Sequence, residues 1–203
     1  HQAALFGLTS NSIIQSGVLE PALKEITRVT AATLGVARCS IWLLREDHRA
    51  ITCKDLYDVS ANIHSSGVEP LAEHFPGYFR ELLTERVIDA SDARTDPRTS
   101  EFTDAYLIPL GIGAMLDIPI RFKGKLVGVL CNEHVGSPRS WMLEEQQFSY
   151  AIASLVSLAL EAVERLSAEG ALRKSEGRTR LIIDTALSSV ISMDEQGRIT
   201  GWN

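Results

Sequence analysis

The most reactive side chains in this chain are three cysteines, Cys39, Cys53 and Cys131, and Cys131 stands just before Glu133 and His134. A thiol, a carboxylate and an imidazole this close suggest two chemistries, metal ligation and thiol nucleophilia. The first needs ligands that converge. The Cys-x-Glu-His spacing matches no familiar zinc pattern, and in a strand Cys131 and His134 point to opposite faces. His134 reads instead as a strand-end residue. The second needs a depressed thiol pKa and a resolving partner, and nothing beside Cys131 in sequence supplies either. An odd number of cysteines without a close pair fits reduced thiols in a cytoplasmic protein. No Gly-rich phosphate loop, nucleophile elbow or catalytic dyad occurs elsewhere.

Composition narrows the classes further. With 45% hydrophobic and 23% charged residues in 203, the chain is an ordinary globular sequence long enough for one good core and more. A net charge of −6 without a basic block argues against nucleic acid or an anionic membrane as partner. No apolar run approaches the roughly 20 residues that span a bilayer, and no signal-peptide pattern opens the chain. A chain opening on His1 is expected to have natural sequence upstream.

The element that must position any site lies in Gly111–Gly136. Ala114, Leu116, Ile118, Ile120 and Phe122 alternate with Met115, Asp117, Pro119 and Arg121, a period of two. Leu126–Cys131 is apolar at nearly every position, as in a strand buried on both faces. The turn Lys123-Gly124-Lys125 joins them into a hairpin at the centre of an antiparallel sheet. Pro119 suggests a bulge or an edge.

Upstream, residues 1–18 frame a short helix. Leu19, Leu23, Ile26, Thr30 and Leu34 mark an amphipathic helix stopped by Gly35, with Pro21 in its first turn. Strands follow over Arg38–Leu44 and Ile51–Tyr57, joined by the charged tip Arg45–Arg49. A short helix from about Gly77 carries Tyr78, Phe79, Leu82 and Leu83, and Val87–Ala90 is a short strand. Ser91–Ser100 is turn chemistry, with Asp96-Pro97 expected to open a helix through Phe102, Ala105 and Tyr106. The longest helix should run from Glu144 to about Leu166, roughly 34 Å. Its stripe of Phe148, Ile152, Leu155, Ala159, Ala162 and Leu166 has coiled-coil spacing. We expect its first half on the sheet and its second half on a partner chain. Residues 167–180 are polar, Leu181–Leu187 has helical spacing, and Val190–Met193 and Arg198–Trp202 form a hairpin around Asp194-Glu195-Gln196-Gly197. A hairpin alone holds no core, so a second domain is expected to begin near Arg180.

Several segments together resemble the GAF domain of bacterial signalling proteins: EPALKEITRVTAATLGVARCSIWLL, DARTDPRTSEF, YLIPLGIGAMLDIPI, GKLVGVLCNEHVG and the Trp141–Phe148 helix entry. Residues 172–203 resemble a linker helix and the opening strands of a PAS domain. The resemblance implies an α+β fold: a central antiparallel sheet, N- and C-terminal helices on one face, a small-molecule pocket on the other, and a long C-terminal linker helix. It divides the chain into an extension (1–18), the GAF domain (19–166), a linker helix (167–180) and a truncated PAS start (181–203). It further implies a non-catalytic sensory role, with output through a histidine kinase or diguanylate cyclase domain in the same polypeptide.

By the same resemblance the pocket is bounded by the first strand, the loops after the second, Ser91–Tyr106 and the last central strand. That gives Ser40, Trp42, Tyr57, Asp92, Thr95, Ser100, Phe102, Tyr106, Cys131 and Glu133 as candidate lining residues. Residues such as Asp92 and Thr95 are more often turn formers than ligands. GAF domains take cyclic nucleotides, bilins, haem or other small molecules, and here the cofactor is unknown. The cyclic-nucleotide signature is absent, and no Cys-His pair marks a bilin attachment point. Asn132 stands where related sequences are expected to carry His. The alternative is a redox enzyme resembling free methionine sulfoxide reductase and using Cys131. The stripe from Phe148 to Leu166 is the expected homodimer seam.

Overall fold

The computed structural model describes residues 1–45, 47, 49–187 and 191–202. They form two compact units, His1–Val163 and Glu164–Asn203. The chain runs α1 (Gln2–Thr9), α2 (Ser12–Gln15), α3 (Leu19–Leu34), β1 (Arg38–Leu44), β2 (Ile51–Asp58), β3 (Ile63–Ser65), α4 (Pro76–Thr84), β4 (Ile88–Ala90), β5 (Ile112–Phe122), β6 (Lys125–Val135), α5 (Leu143–Leu187), β7 (Ile191–Met193) and β8 (Ile199–Trp202). Of the expected charged tip Arg45–Arg49, Glu46 and His48 lie outside the described residues, and so does Val190 of the expected final hairpin.

In the first unit six strands form one antiparallel sheet in the order β3-β2-β1-β6-β5-β4. The β5–β6 hairpin closes through Lys123 (φ 50°) and Gly124 (φ 78°), the pair of positive φ values that a two-residue hairpin turn needs to match strand twist. β6 and β1 occupy the centre. They approach so closely that a Cβ on Gly128 would lie 2.1 Å from the Trp42 carbonyl oxygen. β4 pairs with β5 only from Met115 to Asp117. Pro119 therefore sits where β5 has become an edge and no amide hydrogen is required there.

One face of the sheet carries Cys39, Ile41, Tyr57, Leu116, Ile118, Ile120 and Leu130 into the main core. α3 lays Leu23, Ile26, Ala31 and Leu34 against it, ending at Gly35 in the left-handed conformation. α1 and α2 add Leu8 and Ile14, and α5 adds Phe148, Ile152, Leu155 and Ala159. Ser149, Ala153 and Val156 are buried as well. This broad stripe is the face of a helix packed on its own domain rather than a narrow interchain seam. Ala162 is also buried, whereas Leu166, in the second unit, is 41% exposed. The opposite face of the sheet is covered by α4 and by irregular chain.

The helix expected to open at Asp96-Pro97 does not form. The Asp96 carboxylate instead takes the Arg98 amide at 2.9 Å and the Arg98 guanidinium at 2.8 and 3.0 Å. Turns run through to a 3-10 turn at Ser100–Phe102 and a π turn at Thr103–Leu107. In the second unit, α5 continues without a break through the polar stretch 167–180, and β7 pairs antiparallel with β8. Asp194 Oδ1 closes their turn by accepting from the amides of Gln196 and Arg198.

α5 starts at Leu143, so Met142 is its N-cap. Glu145 reaches back to accept the Met142 amide hydrogen at 2.8 Å, half of a capping box whose other half needs an oxygen that Met lacks. Met142 is 69% exposed, so packing does not oppose replacement. Met142→Thr is expected to stabilise the protein by about 1 kcal/mol, read as a rise in melting temperature of about 2–4 °C. An unchanged or lowered melting temperature would overturn that capping account.

Candidate functional site

The covered side of the sheet holds a cavity of about 200 Å³. Alternation along the two central strands supplies its floor: Trp42 from β1, Cys131 and Glu133 from β6, with Met115 beside them from β5. Its walls come from α4, with Tyr78 and Phe79, and from the irregular segment carrying Phe102, Ala105 and Tyr106. Ile51, Val68, Pro70 and Phe75 complete the rim.

Two interactions hold the walls together. α4 begins at Pro76 without a side-chain cap of its own. The Glu101 carboxylate supplies one from the neighbouring segment, accepting the amide hydrogens of Gly77 and Tyr78, both at 3.0 Å. These are among the amides a helix start leaves open, and a negative charge there is favoured by the helix dipole. Next to it the Phe102 ring packs on Phe75 (4.4 Å between centroids) and edge-on to Tyr78 (4.8 Å).

The polar groups of the site are buried in this apolar setting. Tyr106 donates its hydroxyl hydrogen to Glu133 Oε1 at 2.7 Å. Arg38 Nε lies 3.4 Å from Glu133 Oε2 and 4.0 Å from Asp58. Burial pushes the Glu133 carboxyl above its ordinary value, opposed by the Arg38 charge and the Tyr106 hydrogen bond. Behind the wall, Tyr78 donates to Asp117 Oδ2 at 2.6 Å, with the Cys131 sulfur 3.8 Å from the same hydroxyl. Burial raises the Asp117 carboxyl to about 7; the Glu133 charge adds to this and the Tyr78 hydrogen bond resists it. The Cys131 thiol is pushed well up by burial first and by the Asp117 and Glu133 carboxylates second.

Of the residues the sequence singled out, Trp42, Phe102, Tyr106, Cys131 and Glu133 line the cavity together. Ser40 lies on the same sheet face, beneath Trp42, whose indole N–H donates to its hydroxyl at 2.8 Å. Tyr57 pairs with Cys39 and so faces the helices, its hydroxyl donating to Asn62. Asp92, Thr95 and Ser100 do not reach the cavity but build the loop behind it. Asp92 accepts the Arg94 amide through its carboxylate, and its carbonyl accepts from Thr95 and Asp96. The Ser100 amide donates to the Asp96 carbonyl.

Sequence reasoning missed Tyr78, Phe79, Phe75 and Asp117. Tyr78 and Phe79 were legible as one face of a short helix, but not as a face turned to a cavity. An acid in the middle of an apolar strand was the available signal for Asp117. Among the described residues no cluster of three His, Cys, Asp or Glu side chains is placed to hold a metal.

The sequence model of the GAF domain matches residues 18–160. No curated protein sequence matches the chain. Among solved structures, the GAF domain of an Acinetobacter phosphoenolpyruvate-protein phosphotransferase is 16% identical, with a TM-score of 0.61 over 79% of this chain and 90% of that one. The phycocyanobilin-bound GAF domain of a cyanobacterial phytochrome is 21% identical, with a TM-score of 0.62 over 80% and 94%. The chromophore-binding domain of a bacteriophytochrome from R. palustris is 16% identical, with a TM-score of 0.63 over 82% and 60%. Identities this low carry the fold alone.

The raised Asp117 carboxyl has a measurable consequence. Its folded value of about 7 lies above the ordinary 3.8, so between those values the folded state binds more protons than the unfolded state. Its contribution to stability is present at low pH and is lost as pH rises through about 7. Asp117→Asn keeps an oxygen for Tyr78 and removes the titration. The melting-temperature advantage of the variant over wild type is expected to grow from about pH 5 to about pH 8. A difference constant with pH would show that the carboxyl ionises as it does in water.

Proposed function

The chain belongs to the GAF family across residues 18–160, and from that premise we propose that it is a non-catalytic sensory module of a signalling protein. In this reading it takes a small molecule in the cavity on the sheet and passes its state along α5. The observation that carries the reading is the cavity itself, an aromatic-lined space of about 200 Å³ with a buried carboxylate in its wall. Ligand sites characteristically combine mostly apolar walls with a few placed polar groups. The space is below the roughly 300 Å³ at which drug-sized sites begin. It suits a compact ligand better than the phycocyanobilin named in the cyanobacterial neighbour.

Transmission in this proposal uses the contact between sheet and helix. α5 packs its first turns on the core face of β5 and β6, whose other face is the cavity floor. Occupancy would bias two arrangements of paired α5 helices, in register or crossing angle. Downstream, the β7–β8 hairpin is assigned to the start of a PAS domain, leading to a histidine kinase or diguanylate cyclase output. No helix of the described residues is long and apolar enough to cross a membrane, and the assignment places the module in the cytoplasm.

Dimerisation through α5 is part of the same proposal. Phe148, Ile152, Leu155 and Ala159 are engaged in their own core, so pairing falls to exposed side chains of α5, among which Leu166 belongs to the expected stripe. Leu166→Glu sets like charges opposite each other across a parallel pair. It is expected to convert a micromolar dimer to monomer in light scattering, with little change in melting temperature. A wild type that is monomeric throughout overturns the dimer.

The redox-enzyme alternative requires a thiolate at Cys131, and its burial beside two carboxyl groups favours the thiol instead. Purified protein is expected to show no thiol-dependent turnover of free methionine sulfoxide. Robust turnover that disappears in Cys131→Ser would establish the enzyme.

A further inference from the structure

Resting on the reading of the cavity as a ligand site, we propose that its ligand is a compact organic cation, a protonated or quaternary amine, held on aromatic faces with Glu133 as its counter-charge. The walls supply the first half of the argument. Trp42, Phe75, Tyr78 and Phe102 line the space, together with Tyr106, whose ring already carries the Arg38 guanidinium 5.5 Å from its centroid. Aromatic faces attract cations through the ring quadrupole, most strongly where water is excluded, and cages of this composition suit ammonium groups.

The charges supply the second half. Glu133 is only 2% exposed and lines the cavity. Its Oε1 is occupied by the Tyr106 hydroxyl, while its Oε2 accepts no hydrogen bond. The nearby Arg38 guanidinium is shared: Nε stands 3.4 Å from Glu133 and 4.0 Å from Asp58, and neither Nε nor the buried Nη1 makes a hydrogen bond. Asp58 is partly exposed and accepts hydrogen bonds from Ser60 and Ala61, so the carboxylate left short of partners is that of Glu133, whose Oε2 Arg38 meets as an ion pair without a hydrogen bond. Burying such a charge without a full complement of partners is costly, and a cationic ligand would complete it.

An anionic ligand meets the opposite situation. Among the described residues that line the cavity there is no Lys, Arg or His. A neutral apolar ligand would fill the space but leave Glu133 Oε2 as it stands.

The test uses three probes on the full chain by titration calorimetry: choline, its neutral carbon isostere 3,3-dimethylbutan-1-ol, and benzoate. Choline is expected to bind about tenfold or more tightly than the isostere, with benzoate weakest. Glu133→Gln is expected to bring choline and isostere to nearly equal affinity. Phe75→Leu, at the rim and clear of the buried charges, is expected to weaken choline several-fold while keeping the preference over the isostere; it reads out the cage even where Glu133→Gln fails to fold. Equal or tighter binding of the isostere or benzoate by wild type overturns the cation assignment and leaves the ligand site standing. A choline preference that survives in folded Glu133→Gln also overturns it. Absence of binding by all three probes at millimolar concentration overturns both the cation and the ligand-site reading.

Discussion

The register of β6 is the constraint on which the rest depends. This strand lies between β1 and β5, hydrogen-bonded on both sides, and its residues are divided between two environments. Leu130 enters the core beneath the helices, while Val129, Cys131 and Glu133 belong to the opposite side. A slip of one residue would exchange the two sets and drive the Glu133 carboxylate into the aliphatic layer. Two local features hold the register. Gly128 lets the Trp42 carbonyl approach where any Cβ would collide, and the Asn132 side-chain amide donates to the Leu116 carbonyl at 3.1 Å inside the core. Asn132 is thus a structural pin in the strand that carries the site.

The two faces of this sheet are built on different principles. The helix side is a continuous apolar layer in which α3 and the first turns of α5 bury broad stripes. The cavity side is closed by short, irregular pieces tied at a few points, chiefly Glu101 on the start of α4 and the Phe102 ring between Phe75 and Tyr78. Burial there is divided among small clusters, and it is there that ionisable groups have been taken out of water. Asp117 and Glu133 are tolerated because each has a tyrosine hydroxyl donor, yet both remain displaced toward their neutral forms. Ionisable groups displaced in this way beside a concave, aromatic space are what the proposed ligand site rests on.

Much of this was legible in the residues alone. The amphipathic period of Leu19–Leu34, the alternation in β5, the turn at Lys123-Gly124 and the proline where β5 becomes an edge each follow from local stereochemistry, and each is where the pattern puts it. Half of the candidate residues line the cavity: the family resemblance set the pocket side, on which alternation groups Trp42, Cys131 and Glu133, and it alone brought in Phe102 and Tyr106.

What local pattern could not decide is where chain segments distant in sequence come to rest. Tyr57 alternates as plausibly one way as the other until its pairing with Cys39 turns it toward the helices. Asp92 and Thr95 have side chains fit for a ligand, but backbone turns claim them first. The heptad-like stripe of α5 satisfies a partner helix and the chain's own sheet equally well on paper, and burial of Ser149, Ala153 and Val156 beside it shows the sheet's claim. The sequence by itself determined α3, the β5–β6 hairpin and the start of α5, with their core faces, because those depend on neighbours a few bonds away. Only the tertiary structure decided the cavity, because Glu101 must meet Gly77, Tyr78 must meet Asp117, and Tyr106 must meet Glu133 across loops whose closure no periodicity records.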